Sequence, residues 1–163
     1  MPDVSTEVAI ATTTLSSASA DITFSSISSA YNDLRVVLVN KGGTSGCRLQ
    51  FNSDTGSNYS TTSLIGTGSS AASARATNND RISLEYWGMD ASIPSMYTAD
   101  IFSYAGGTYK TVLGTAAEDF NGSGSTSVRV GLWRSTSAIT TVKLFTIGTA
   151  FQAGTTATLY GIL

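Results

Sequence analysis

Residue types that usually carry catalysis are scarce in this chain of 163 residues. It has no histidine, which excludes Ser-His-Asp triads, Cys-His dyads and most zinc or non-haem iron sites. The adjacent carboxylates of Glu118 and Asp119 would point to opposite faces of a strand, and no base is placed to activate a serine or threonine hydroxyl. Cys47, the single cysteine, lies on the apolar face of a predicted strand, which indicates a packed core thiol. We therefore predict that the protein is not an enzyme and uses no cofactor.

One segment rich in side-chain oxygens could form either a calcium site or a tight turn. Asn52, Asp54 and Asn58 cluster around Gly56, and Tyr59 follows directly. Oxygen ligands at such spacing suit Ca²⁺. Asn and Asp side chains more often close turns by hydrogen-bonding to nearby backbone, however. We therefore interpret these five residues, called the motif turn below, as a structural turn without a metal.

Several aromatic side chains are candidates for contact with partners. Tyr86 and Trp87 are consecutive, so one of them must face away from the sheet interior, and Tyr97 and Trp133 lie on strands that expose one face. Exposed Tyr and Trp side chains stack on sugar rings or anchor protein interfaces, although others merely cap a core. Trp87, Tyr97 and Trp133 are therefore candidate interface residues, and a surface glycan is a ligand that they would suit.

The elements that must position these residues are β-strands. Period-two alternation recurs along the chain and is interrupted by clusters of Gly, Asn and Ser, with turns predicted at 40–43, 105–107 and 153–154 and loops at 66–79 and 121–127. The pattern favours an all-β fold, an antiparallel two-sheet sandwich of jelly-roll type, with an up-and-down barrel as the alternative. The alternation predicts these inward-facing positions: Cys47, Leu49 and Phe51; Ile82, Leu84 and Tyr86; Tyr97, Ala99 and Ile101; and Val128, Val130 and Leu132.

Composition indicates a protein whose surface is covered by other subunits. There are 25 Ser and 24 Thr, whereas charged residues make up 12%, about half of the usual ~25%. The net charge of −2 argues against nucleic acid as a partner, and the longest aliphatic run, residues 36–39, is too short to span a membrane. Three lysines and two prolines are too few to protect the edges of eight or more strands. We therefore predict that the edges and hydroxyl-rich faces pack against neighbouring chains.

The first 19 residues are polar and are predicted to form an extended N-terminal arm used in assembly, followed by a single β-sandwich domain over residues 20–163. The candidate contact residues of this arm are Ser5, Thr6, Val8, Ile10, Thr12 and Thr14.

Residues 48–59, with the sequence RLQFNSDTGSNY, resemble a stretch found in many small β-sandwich virion proteins of tailed bacteriophages. Residues 24–34 and 138–162 are similar to segments of the same group, in the same order, so that the resemblance covers most of the chain. Ser53 stands where the group usually has glycine. The resemblance implies a phage structural protein of the kind found as head decoration and as domains of tail fibres.

Within that class, the chain length and the lack of shaft-like repeats favour a capsid decoration, or cement, protein. The resemblance implies a homotrimer that binds the major capsid protein, assembles in the cytoplasm of the bacterial host and resides in the virion. There it would stabilise the mature head by binding that state alone, through the arm and the strand edges. The alternative is a tail-fibre, receptor-binding or carbohydrate-binding β-sandwich module that uses the exposed aromatic residues.

Overall fold

Twelve β-strands form the described part of the chain, which in this computed structural model comprises residues 6–41, 46–84 and 93–163. In chain order they are β1 (Glu7–Thr14), β2 (Asp21–Phe24), β3 (Asp33–Asn40), β4 (Arg48–Phe51), β5 (Tyr59–Gly66), β6 (Ala71–Asn79), β7 (Ile82–Ser83), β8 (Ser95–Phe102), β9 (Lys110–Asp119), β10 (Gly124–Trp133), β11 (Val142–Phe145) and β12 (Thr156–Ile162).

The strands form two antiparallel sheets of unequal size. The larger has the order β1-β12-β3-β8-β9-β10-β5-β6, and the smaller has the order β2-β11-β4-β7. This arrangement confirms the predicted all-β class with two antiparallel sheets. Within the described residues, no helix is long and apolar enough to cross a membrane.

The hydrophobic core is built from the inward-facing residues of both sheets. On β3 burial alternates, with Leu34, Val36 and Leu38 buried, as period-two geometry requires of a strand with one face on the core. Leu49 and Phe51 on β4 are fully buried, and so is the thiol-bearing Cys47 just before it. The predicted inward positions Cys47, Leu49, Phe51, Ile82, Leu84, Tyr97, Ala99 and Ile101 are therefore confirmed, whereas Tyr86 lies outside the described residues.

On β10 the predicted orientation is wrong. Val128 and Val130 are 47% and 49% exposed and Leu132 is partly exposed, whereas Ser127, Arg129 and Trp133 are buried. Period two shows which residues share a face of a strand, but a shift by one residue exchanges the two faces. Here the more apolar set of side chains faces outward, away from the smaller sheet.

Two predicted loops are also partly strands. Residues 71–79 form β6, which pairs with β5 from Gly66↔Ala71 to Tyr59↔Asn79, and β10 begins at Gly124. Small residues have low intrinsic strand propensity, but the free edge of β5 supplies backbone partners for them. The predicted turn at 105–107 does lie between β8 and β9, and Gly154 has the positive φ of 86° expected of a turn glycine. The predicted turn at 40–43 extends into residues outside the described ones.

The segment predicted as an N-terminal arm contains an edge strand of the larger sheet. β1 pairs with β12 from Glu7↔Ile162 to Thr14↔Thr156, with an irregularity between Ala9 and Ala11. Ile10 and Leu15 pack against the core. Residues 7–14 are thus integrated into the sheet and do not extend away from it.

Candidate functional site

The motif turn is organised around the carboxylate of Asp54. Its Oδ1 accepts a hydrogen bond from the Gly56 backbone N–H at 2.8 Å, and the Asn58 Nδ2 donates to both carboxylate oxygens at 3.2 and 3.0 Å. The indole Nε1 of Trp133 donates to Oδ2 at 2.7 Å. The carboxylate therefore joins the turn to β10, which is distant in sequence.

Electrostatics keep Asp54 ionised. Burial alone would raise the pKa of this carboxyl group, but the hydrogen bonds from Trp133, Asn58 and Gly56 together outweigh burial and lower its pKa. The charge is thus used for internal hydrogen bonding. Among the residues that the structure describes, no group of three or more His, Cys, Asp or Glu side chains could hold a metal ion.

Asn52 links the start of the motif turn to the segment before β11. Its Nδ2 donates to the Ala138 carbonyl at 2.8 Å, and its Oδ1 accepts from the backbone N–H groups of Thr140 and Thr141 at 2.9 and 3.0 Å. Asn52 and Ser53 have φ values of 51° and 57°, in the left-handed region that Asn tolerates and that glycine favours. A glycine at position 53 would adopt this conformation without strain.

Tyr59 fastens the other end of the motif turn. Its hydroxyl accepts from the Phe51 N–H at 3.1 Å and lies 3.1 Å from the Asp54 carbonyl, to which it donates. Its ring stacks on Trp133 with 6.2 Å between ring centroids, and Phe51 packs against Trp133 at 5.5 Å. The five motif residues therefore come together around the end of the core, where their contacts are with other parts of the same chain.

Two of the three aromatic interface candidates are not at the surface. Trp133 and Tyr97 are each 2% exposed, because they occupy inward positions of β10 and β8. This excludes both side chains from surface contacts, contrary to the prediction. Trp87 lies outside the described residues. The sequence feature that could have indicated the burial of Trp133 is Asp54, because a buried indole N–H needs an acceptor.

The candidate contact residues of the predicted arm are mainly at the surface. Thr6, Val8, Thr12 and Thr14 are exposed, Ile10 is partly buried, and Ser5 lies outside the described residues. The hydroxyl groups of Thr12 and Thr14 each lie 3.0 Å from a hydroxyl on β12, those of Thr158 and Thr156. β1 therefore presents an outer sheet edge lined by hydroxyl and aliphatic groups.

Two buried charges lie elsewhere in the fold. Lys110 is fully buried, and its Nζ donates to the carbonyls of Gly106, at 2.6 Å, and Thr108; burial lowers its pKa. Burial likewise raises the pKa of Glu118, whose Oε1 accepts from the Ser125 hydroxyl at 2.7 Å. Asp119 is exposed on the opposite side of β9, so these two neighbouring carboxylates do not flank a common space.

Sequence reasoning missed the outward surface of strands β6, β5, β10, β9 and β8, which we call the outer face. Its exposed apolar residues are Leu64, Met96, Phe102, Leu113, Val128 and Val130. Thr62, Thr98, Thr115 and Thr126 lie between them on the same side, as the strand registers require. Met96 and Thr126 also line a groove of about 1070 Å³ between the β5–β6 and β9–β10 connections. The outer face is broad and has few charges. Strand β10, whose aliphatic residues point outward, lies at its centre.

Comparison of the chain with protein-family models, with curated proteins and with solved structures found no significant match.

Proposed function

We propose that this chain is a structural protein of a tailed-bacteriophage virion, a capsid decoration (cement) protein that binds the assembled head and stabilises it. The observation that carries the proposal is the open edge of the larger sheet at β1, which exposes hydroxyl and aliphatic side chains. An unprotected sheet edge is a surface that another chain can pair with or cover. The resemblance of residues 48–59 to phage virion proteins supplies the class. A sandwich of jelly-roll type is the finer fold proposed with it.

The open sheet edges support the same role. β1 and β6 are the terminal strands of the larger sheet, and β6 is exposed along almost its whole length. Within these two strands the charged residues are Glu7 and Arg75, so they have little protection against pairing with another chain. Small hydroxyl and methyl side chains lose little entropy when they are buried. The proposed partners are the major capsid protein and other copies of this chain.

The mechanism is mechanical. A protein that binds the assembled shell and does not bind its dissociated subunits stabilises the shell by mass action. The catalytic side chains that hydrolysis would need are not required for this role. The burial of Tyr97 and Trp133 removes two aromatic residues on which the carbohydrate-binding alternative relied, and we therefore do not advance that alternative.

Binding to shells tests the proposal. Virions that carry this chain are stripped of it, and rebinding of the purified protein is measured by co-sedimentation. A Thr12→Lys/Thr14→Lys variant, altered at two exposed residues on the same side of β1, should bind at least tenfold more weakly than the wild type. Ile147→Lys, which changes an exposed aliphatic residue outside the strands, is the matched control and should bind normally. Equal binding by all three proteins would contradict the proposed contact edge, and no binding by the wild type would contradict the function.

Copy number separates the head from the tail. Quantitative mass spectrometry of intact virions should find this chain at a number comparable to the capsid subunits. A number comparable to the tail fibres would contradict the decoration role.

A further inference from the structure

The outer face has the composition of an interior. On β10 its side chains are Val128, Val130 and partly exposed Leu132, whereas the inward side of β10 carries Ser127, Arg129 and Gly131 before Trp133. Strands with one solvated face normally place their polar residues there. The reversed pattern indicates that another surface covers these valines in the functional molecule.

We infer that a second copy of this chain covers the outer face, packed sheet against sheet about a two-fold axis parallel to β10. Five strands spaced by about 4.8 Å, with eight residues rising by about 3.3 Å each, give a plan area of about 600 Å². The accessible surface area is larger than this plan area, because the side chains protrude from the sheet. The area therefore approaches the ~800 Å² per partner of a stable protein–protein interface. The apolar centre matches homodimer interfaces, which are less polar than other contacts.

The arrangement of charge on the outer face selects the second copy and its orientation. Cross-strand pairing places Arg75, Thr62, Val130, Leu113 and Asp100 in one row across β6, β5, β10, β9 and β8. Val130 is at the centre, and the basic and acidic residues are each two strands, or about 10 Å, away on opposite sides. A two-fold axis along β10 lays β6 of one copy over β8 of the other. Each arginine then faces the acid of the other copy, twice per dimer.

The two charged residues are available for this contact. Arg75 is exposed, and the ion pairs within the described residues do not involve it. Asp100 accepts from Arg35 through Oδ1 at 2.6 Å and Oδ2 at 3.3 Å, and a carboxylate has about four acceptor positions in all. A further donor can therefore reach it. A two-fold axis perpendicular to the strands would instead place Arg75 against Arg75 of the partner, where like charges repel.

This inference is separate from the proposed function, because the dimer forms without any capsid. Sedimentation equilibrium of the purified protein should give twice the 16.9 kDa chain mass. Val128→Lys/Val130→Lys changes exposed side chains, so it should fold, as circular dichroism would verify, and should sediment as a monomer with at least tenfold weaker association. Ile147→Lys should remain a dimer. A monomeric wild type at about 1 mM, a mass of three chains, or a dimeric double variant would each overturn the inference.

The orientation has its own test. Arg75→Glu should weaken self-association, because it places two acids against each other at both ends of the row. Mixing this variant with the wild type should give mixed dimers no more stable than those of the wild type, since one attractive pair is still lost. Mixed dimers that are tighter than both parent dimers would overturn the proposed axis and indicate Arg75 facing position 75 of the partner.

Discussion

At the scale of single residues, the carboxylate of Asp54 resolves a packing problem posed by Trp133. A buried indole contributes a large apolar area but needs an acceptor for its N–H group. Asp54 supplies that acceptor at 2.7 Å, and the same oxygens hold the motif turn closed through Gly56 and Asn58. In a chain with only 12% charged residues, this acid therefore stabilises the fold from within.

Replacing Asp54 by alanine should lower the free energy of unfolding by about 3 kcal/mol at pH 7, because hydrogen bonds to a charged acceptor contribute about 1.5–3 kcal/mol and the indole N–H is left unpaired. The pKa of Asp54 is lowered in the folded state, so its contribution is present above the ordinary value of 3.8 and is lost as the pH falls through the folded-state value. Urea unfolding at neutral and acidic pH should therefore show a cost that shrinks in acid.

A control for this prediction is Asp21→Ala, which removes a surface ion pair with Lys143 at 3.4 Å. Its cost should be about 1 kcal/mol or less. If the two alanine variants lost the same stability, the hydrogen bonds of Asp54 would not have the role assigned to them.

At the scale of elements, Gly131 on β10 allows the smaller sheet to pack closely against the larger one. A Cβ atom built at Gly131 would lie 2.7 Å from the Cδ1 and Cγ2 atoms of Ile82 on β7, and Ile82 is fully buried. The missing side chain therefore lets the two sheets approach closely at this point. Gly131 lies between Val130 and Leu132, so the inward side of the strand is small where the outward side is aliphatic.

Gly131→Ala should destabilise the fold by about 1–3 kcal/mol, the usual cost of forcing extra volume into a packed core. Gly107→Ala is the matched control, because a Cβ there meets nothing within 4 Å, and its effect should be close to zero. Thermal unfolding of both variants provides the measurement. A Gly131→Ala variant as stable as the control would mean that the sheets can separate there without cost.

The sequence predicts the strands better than it predicts their orientation. Alternation identified the core positions on β4 and β8 because their apolar residues are separated by polar ones. On β10 the alternation is compatible with either face being buried. Which face is buried depends on the small space next to Gly131, and alternation carries no information about that space. β6 was missed because its four alanines and two asparagines have no strand preference of their own. The motif turn was recognisable, but its link to Trp133 spans about half of the chain and leaves no local pattern.

At the scale of the whole molecule, β1 completes the larger sheet and covers the edge of β12. It contributes a continuous set of backbone pairs, and Ile10 and Leu15, within and just after it, pack on the core. The proposed assembly through this strand would thus depend on a segment that also stabilises the fold. Under that proposal, binding and stability are coupled at this edge.

Deleting residues 2–19 should consequently lower the unfolding midpoint by roughly 5–10 °C, since the loss of an edge strand with its partly buried aliphatic side chains costs several kcal/mol and about 2–4 °C accompany each kcal/mol in a chain of this size. The freed edge of β12 should also promote aggregation. Differential scanning calorimetry and light scattering measure the two effects. A deletion variant with an unchanged midpoint would mean that residues 7–14 are dispensable for stability.

The paired strands β1 and β12 also bring distant parts of the chain to one corner, where the Leu163 N–H donates to the Thr6 carbonyl at 3.0 Å. A polypeptide can therefore enter and leave this sandwich at nearly the same point. The domain could therefore be inserted into an exposed loop of an unrelated host protein without moving the two ends of that loop far apart. A circularly permuted form would need only a short peptide to join the present ends.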